Sequence, residues 1–326
     1  RSHLTEVRLS DRETYTFALR VTNGNLGITG ACEGTASFEF VDGPLPGARL
    51  DILDGTGVIY LRGGADELLD MDAWLDGTAR VYDPRRVRLT MLDGRMVDLD
   101  RSTGVTRIQD ASGNTLTISA GGLVHSSGRS VAFSRDERQR IVGIVDPRGA
   151  EARYVYDARG DLVEFHDRSG AITTFAYDDS HNLVELRDPL GVRAMQAEYD
   201  ADGRLVAVVD ARGQRVEFEH DLASRREVVV DARGNPTVFA YDERGHVISE
   251  QAAVTIEGRP HMATTTFERD ARGNALAIVD ADGIRTEAEY DYVDPLTTVL
   301  DPAGLALRST YAYSPERKLT NFVNPA

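Results

Sequence analysis

"YDARGDLVEFHDRSG", residues 156–170, sets a Tyr-Asp step and an Asp-x-x-Gly step on either side of a short apolar run. Aspartate followed three residues later by glycine is the chemistry of a type I turn. The carboxylate accepts a backbone N–H inside the turn, and the glycine takes the left-handed conformation that closes a hairpin with a bulge. Between the two turns "LVEFH" has the length and composition of a strand. The stretch thus reads as turn, strand, turn.

Near-copies of it run down the chain. The first-step aspartates are Asp136, Asp157, Asp178, Asp200, Asp221, Asp242, Asp270 and Asp291, separated by 21, 21, 22, 21, 21, 28 and 21 residues. Tyr156, Tyr177, Tyr199, Tyr241 and Tyr290 each precede one, and Gly160, Gly203 and Gly245 close their turns. The second step pairs Asp146 with Gly149, Asp167 with Gly170, Asp188 with Gly191, Asp210 with Gly213, Asp231 with Gly234, Asp280 with Gly283, and Asp301 with Gly304. Upstream, "LDRSTGVTRIQDASG" 99–113 is the same cell with one extra residue, and "GGLVHSSG" 121–128 is a shortened one. "YSPER" 313–317 has lost both Asp and Gly. About ten cells follow Asp100.

Each cell of 21 residues makes one β-hairpin, and consecutive hairpins pair in chain order as an antiparallel meander. In "GIRTEAEYD" 283–291, Ile284, Thr286, Ala288 and Tyr290 fall on one face, and Arg285, Glu287 and Glu289 on the other. In "QRVEFEHD" 214–221, Val216, Phe218 and His220 share a face, so His220 takes the slot that Tyr fills elsewhere. The expected fold class is all-β: a long meander with a β-rich leader. Ten cells give a strip on the order of 100 Å wide, which strand twist should curl or spiral into a partial shell.

The cells "YDARGDLVEFHDRSGAITTFAYD" and "YDADGRLVAVVDARGQRVEFEHD" resemble the Rhs or YD-repeat family, which includes bacterial polymorphic-toxin shells, the C component of Tc toxins and the YD shell of teneurins. The resemblance covers roughly residues 80–326. It implies a β-strip that spirals into a hollow shell around a toxin or other polypeptide cargo, in a secreted or cell-surface bacterial protein. Its partners would be the rest of its parent chain or that cargo. Known shells use many more cells, so encapsulation is an expectation about the parent.

Composition narrows the alternatives. The net charge of −16 and pI near 4.9 disfavour a nucleic-acid partner, and the arginines are interspersed with acidic residues. Lys318 is the one lysine, and Cys32, the one cysteine, excludes an internal disulfide. No apolar run approaches the roughly 20 residues of a membrane helix. "RSHLTEV" at the start has the look of a cloning remnant, and the chain reads as a piece of something longer. Two regions are expected, a β-rich leader over 1–79 that could cap the strip, and the strip over 80–326. "ADELLDMDAWLDG" 65–77 is the one plausible helical turn.

No cofactor is expected. Asp70, Asp72 and Asp76 fail the spacing of a calcium loop and lack its bidentate Glu. The histidines, His3, His125, His166, His181, His220, His246 and His261, form no zinc or catalytic pattern. "GNLGITG" 24–30 lacks the spacing and the Lys of a phosphate loop, and there is no Gly-x-Ser-x-Gly nucleophile turn. "DPAGL" 301–305 fits the Asp-Pro-x-Gly-Leu letters at which relatives of the family cleave themselves. The same Asp-Pro opening at Asp146 and Asp188 reads as an ordinary turn, so 301–305 is read as one too. The expectation is a non-enzymatic structural module. Its alternative is a carbohydrate- or cell-surface-binding module in which the recurring tyrosines stack on a glycan. Packing between hairpins is the favoured role for those rings, and open sheet edges allow self-association.

Overall fold

A computed structural model describes residues 4–10, 13–26, 32–55, 58–61, 68–70, 82–256 and 259–325. These residues contain twenty-nine β-strands and no helix. Twenty-four of the strands belong to one antiparallel sheet and five to a second. The all-β meander is thus the architecture of the chain. Leu68–Asp70, placed by sequence in a helical turn, is instead a strand paired with Val58–Leu61. Backbone pairing to a neighbour decides it, because three residues cannot close the hydrogen bonds of a helix. The remainder of 65–77, including Asp72 and Asp76, lies outside the described residues.

The chain divides into two compact units, 1–131 with 312–321, and 132–311 with 322–326. In the first, the five-stranded sheet runs in the order Leu4–Ser10, Glu13–Leu26, Cys32–Asp42, Val58–Leu61, Leu68–Asp70. One of its faces supplies Val7, Tyr15 and Phe17 to a core completed by Leu45, Ala48, Leu50, Leu89, Met91 and Val97. Phe17 meets Phe40 edge to face with centroids 6.0 Å apart. Leu50 lies on Arg49–Ile52, a strand of the leader that pairs with Arg86–Thr90 in the larger sheet. Apolar burial therefore joins the leader to the first repeat strands across residue 79.

The second unit is built differently. From Ile141–Val145 to Asp294–Leu300 each strand pairs antiparallel with the one before it and the one after it. Among its described residues the buried hydrophobics are three alanines, Ala197, Ala207 and Ala277, and no large apolar side chain is fully buried. Stability here comes from strand-to-strand neighbours on each face rather than from a packed interior.

Truncation should separate the two regimes. Leu89→Ala, at a fully buried site, is expected to cost about 2–5 kcal/mol in denaturant unfolding. Leu186→Ala, half-buried on the second unit's sheet, should cost about half of that or less.

Candidate functional site

The repeated turn is built around one carboxylate. At Asp188, Oδ1 accepts the N–H of Leu190 at 2.9 Å and of Val192 at 2.9 Å. The Gly191 N–H donates to the Asp188 carbonyl, and the Asp188 N–H donates to the Val192 carbonyl. Gly191 has φ of 77°, the left-handed region glycine enters without a steric penalty. Asp167, Asp200, Asp210, Asp231, Asp242 and Asp280 make the same pair of side-chain bonds. Asp178 does so as well, with His181 at φ 66° where the other cells place Gly. Asp157 uses a variant in which the acceptor takes the Gly160 and Asp161 N–H groups.

Other side chains keep the turn where the letters are lost. His125 Nδ1 accepts the Ser127 N–H at 3.1 Å in the aspartate slot. Ser314 carries the same backbone bonds to Arg317 and Lys318, with Arg317 at φ 60°. The signal that reveals these turns is spacing. Three expected turns depart. Asp221 lies in its strand and pairs with Arg226 across the loop 222–225. Asp291 lies in its strand and pairs with Asp294 across a two-residue loop at Tyr292 and Val293. Asp301 is not the ordinary turn it was read as. It takes φ 50° itself and donates its N–H to the Arg285 carbonyl, and its own carbonyl accepts both the Gly304 and Ala306 N–H groups. Its carboxylate accepts the Leu305 N–H and lies against Gly304, where a Cβ would collide with it.

The two faces of the second unit's sheet differ in chemistry. On one, Tyr154 meets Phe165 at 5.2 Å, and tyrosine hydroxyls reach back to the preceding hairpin. Tyr156 donates to the Ile141 carbonyl at 3.2 Å and Tyr199 to the Leu183 carbonyl at 3.0 Å. His220 Nε2 contacts the Leu205 carbonyl at 2.7 Å, the same bond from the same slot. Tyr241 turns instead to Glu227 at 3.5 Å. Tyr177 and Tyr290 are half-buried, and burial pushes the Tyr177 hydroxyl pKa up. The Arg140 guanidinium stacks 4.2 Å from the Tyr156 ring centroid, so that aromatic face is already occupied. These contacts support the packing role of the rings.

The opposite face carries ion-pair forks. Arg215 Nη1 and Nη2 donate to Glu198 at 2.7 and 2.8 Å, and its Nε donates to Glu217 at 2.8 Å. Ala207 stands opposite both carboxylate residues in register and is fully buried. Its small side chain lets the arginine bridge an entire strand. Arg285 repeats the fork on Glu268 and Glu287, with Ala277 between them. Alanine under a bridging arginine is a site that strand patterning alone did not reveal.

A shallow cleft of about 440 Å³ opens between two successive turns, lined by Asp146, Arg148, Ala150, Asp167, Arg168 and Ser169. Arg168 closes on Asp146 at 2.9 Å, so these two charges pair across the cleft. Among the described residues no three acidic, His or Cys side chains are grouped to hold a metal.

The fold and its turns define a class, an antiparallel β-hairpin repeat protein whose cell is set by an aspartate-capped turn. A family model described as the RHS repeat matches residues 156–193 and 199–236, so over these residues the chain carries RHS repeats. No curated protein matches it in sequence. Solved structures similar to it include TcdB2-TccC3 without its hypervariable C-terminal region, at 13% identity and a TM-score of 0.44 over 95% of this chain and 21% of that one. TcdB2-TccC3-Cdc42 gives 13% identity and 0.45 with the same coverages. The Photorhabdus luminescens Tc holotoxin pore gives 13% and 0.29, again over 95% and 21%. The chain thus spans about a fifth of the length of the solved chains it matches.

Two outcomes follow from the site. In Asp178 and Asp231 the side-chain amides of Asn182 and Asn235, with backbone N–H groups, hold the carboxyl below its ordinary pKa. At Asp100 the Ser102 hydroxyl and N–H bring it to about 2. Because the folded values are depressed, their stabilisation is complete above the unfolded carboxylate range and fades as pH falls through the folded values. Thermal melting followed by circular dichroism should drop below about pH 4. The double variant Asp178→Asn, Asp231→Asn, which keeps one acceptor oxygen per turn for the backbone N–H groups and removes the titrating charge, should flatten that limb. Separately, His220→Tyr should preserve stability, whereas His220→Phe, lacking a donor for the Leu205 carbonyl, should lose about 0.5–1.5 kcal/mol in urea unfolding.

Proposed function

We propose that this structural repeat module is a segment of shell wall that encloses or presents a polypeptide cargo belonging to its parent chain or a partner toxin, in a secreted or cell-surface bacterial protein. One observation carries the reading. From turn to turn the aspartate carboxylates are spent on their own backbone, and the hairpins so formed pair in chain order without interruption. Side chains committed in this way specify a surface rather than a reactive centre. The chemistry of the two faces supports it too, since a barrier needs one face to bind its neighbours in water and another to present apolar area. The Arg215 and Arg285 forks provide the first, and the half-buried Tyr154, Phe165 and Phe218 the second. The five-stranded sheet of the leader acts in this reading as a cap on the first repeat strands.

Self-cleavage at Asp301 belongs to the same test. An unfolded reporter polypeptide joined after Ala326 is exposed to a broad-specificity protease, and intact mass is followed without protease. A reporter digested more slowly than its free form, with the repeat strands still resistant, is the expected result. Digestion at the rate of the free reporter by a chain that stays folded would overturn the wall reading. A mass loss placing a break after Leu305 without protease would add cargo release to it.

A further inference from the structure

The cleft between the turns 146–150 and 167–171 holds charge that the turns themselves do not use. Glu151–Tyr156 and Leu162–His166 are antiparallel neighbours with Arg153 opposite His166, so the turn before the first and the turn after the second stand side by side at one margin of the sheet. Asp146 is engaged on both oxygens. Its Oδ1 accepts the Arg148 and Ala150 N–H groups, and its Oδ2 accepts Arg168 Nη1 at 2.9 Å. Asp167 is engaged on one. Its Oδ1 accepts the Ser169 and Ala171 N–H groups at 2.8 and 2.9 Å and the Ser169 hydroxyl at 2.7 Å, while its Oδ2 has no donor among the described residues. The Ser169 hydroxyl and the turn N–H groups hold that carboxyl below its ordinary pKa, so it is ionised at neutral pH. On the facing turn the exposed Arg148 guanidinium likewise has no hydrogen-bond or ion-pair partner among the described residues. An uncommitted cation and an uncommitted anionic oxygen thus line one cavity of about 440 Å³ without reaching each other.

That separation selects the ligand. We propose that this cleft binds a uronic acid residue of a glycan, with its carboxylate on the Arg148 guanidinium and a ring hydroxyl donating to Asp167 Oδ2. A guanidinium fork matches a planar carboxylate through two parallel N–H···O bonds. A pyranose ring carries its carboxylate and its far hydroxyls on opposite sides, and so spans two groups that do not meet. An α-amino acid, whose two charges sit on one carbon, does not. Inorganic phosphate would satisfy Arg148 but set its remaining negative charge against Asp167. The lining is polar, with Ala150 as its one apolar side chain, which suits a ligand that is hydrophilic all round and leaves no pocket for an apolar group. The chain's net charge of −16 opposes a polyanion, so the uronic acid belongs to a glycan that is otherwise neutral. The cleft is open to water, and an exposed charge pair with a few hydrogen bonds gives a dissociation constant on the order of 1 mM. None of the recurring tyrosines takes part.

Saturation-transfer difference NMR with sodium glucuronate tests it, with glucose, glycine and inorganic phosphate as competing probes and circular dichroism confirming the fold of each variant. Glucuronate should receive saturation from the protein and should be displaced by none of the three at equal concentration. Arg148→Ala should weaken glucuronate binding about tenfold. Asp167→Asn, which keeps Oδ1 for the turn and puts an amide NH2 in place of the free acceptor, should weaken it about threefold. Arg212→Ala, which removes the arginine from the same place in a later turn, should leave binding unchanged. No saturation transfer to glucuronate, equal displacement by phosphate or glycine, or binding indifferent to Arg148→Ala would overturn the site. So would a loss as large in Arg212→Ala as in Arg148→Ala, since that would mark attraction to any exposed arginine. None of these outcomes bears on the wall reading, which rests on the hairpin sheet and not on its margin.

Discussion

An aspartate carboxylate that accepts two backbone N–H groups of its own turn is the interaction on which the rest of this structure depends. It satisfies donors that a reversal in the chain would otherwise leave to water, and it fixes where the strand before it ends and the strand after it begins. At Asp188 the two bonds are both 2.9 Å, and the pattern is repeated at Asp231 with 2.8 Å for each. Since side-chain faces alternate every residue, a turn that slipped by one position would send an apolar row to the ionic face. The carboxylate is therefore a register device as well as a cap. Bulges recur beside several of these turns, at Tyr156, Tyr177, Tyr199 and Tyr241, and the Tyr156 and Tyr199 hydroxyls reach back from there to the preceding hairpin.

Much of this was legible in the residues. Spacing gave the hairpins, their order and the shared face of Val216, Phe218 and His220, because a turn every ten residues leaves the chain few other options. The substitution of His220 for tyrosine could be read from alternation, and the bond to Leu205 shows why it is tolerated: an imidazole can also bond a carbonyl. What could not be read depended on partners distant in sequence. The Arg215 fork spans residues 198 to 217 and needs the size of Ala207 as much as the charge of its ends. Turn identity also outran the letters. His125 and Ser314 supply acceptors without being aspartate, and Gln139, His181 and Arg317 enter the left-handed region without being glycine. Asp301 shows the converse, the full motif with a different backbone, since its N–H is already taken by Arg285.

The leader resisted reading for a related reason. Its strands lack the repeat's beat, so pattern could identify β-structure there but not what it packs on. The answer is set by burial: Val7, Tyr15 and Phe17 share one core with Leu50, Leu89 and Val97, residues from both sides of the expected division. Tyr15 illustrates the cost of that packing. Its ring is fully buried, and its hydroxyl pKa is pushed up by burial and by Glu13, to which it donates at 3.1 Å. Arg95 completes the arrangement by pairing Glu13 at 3.1 Å, so the charge beside the buried phenol is balanced.

The two units thus solve the same problem with different physics. A packed core concentrates stability in a few side chains, and losing one of them is felt throughout the unit. The second unit, with alanine as the largest fully buried apolar residue among those described, spreads stability over hairpin-to-hairpin contacts of similar size. In such an array each cell answers chiefly to its neighbours, so cells can be added, lost or varied without redesign of the rest. That tolerance is visible in this chain. The interval between Asp242 and Asp270 is seven residues longer than the usual 21, and the extra length is absorbed by extending one hairpin, Val247–Ile256 with Arg259–Arg269, while strands on both sides keep their pairing. A sheet made this way can grow in proportion to whatever it must span.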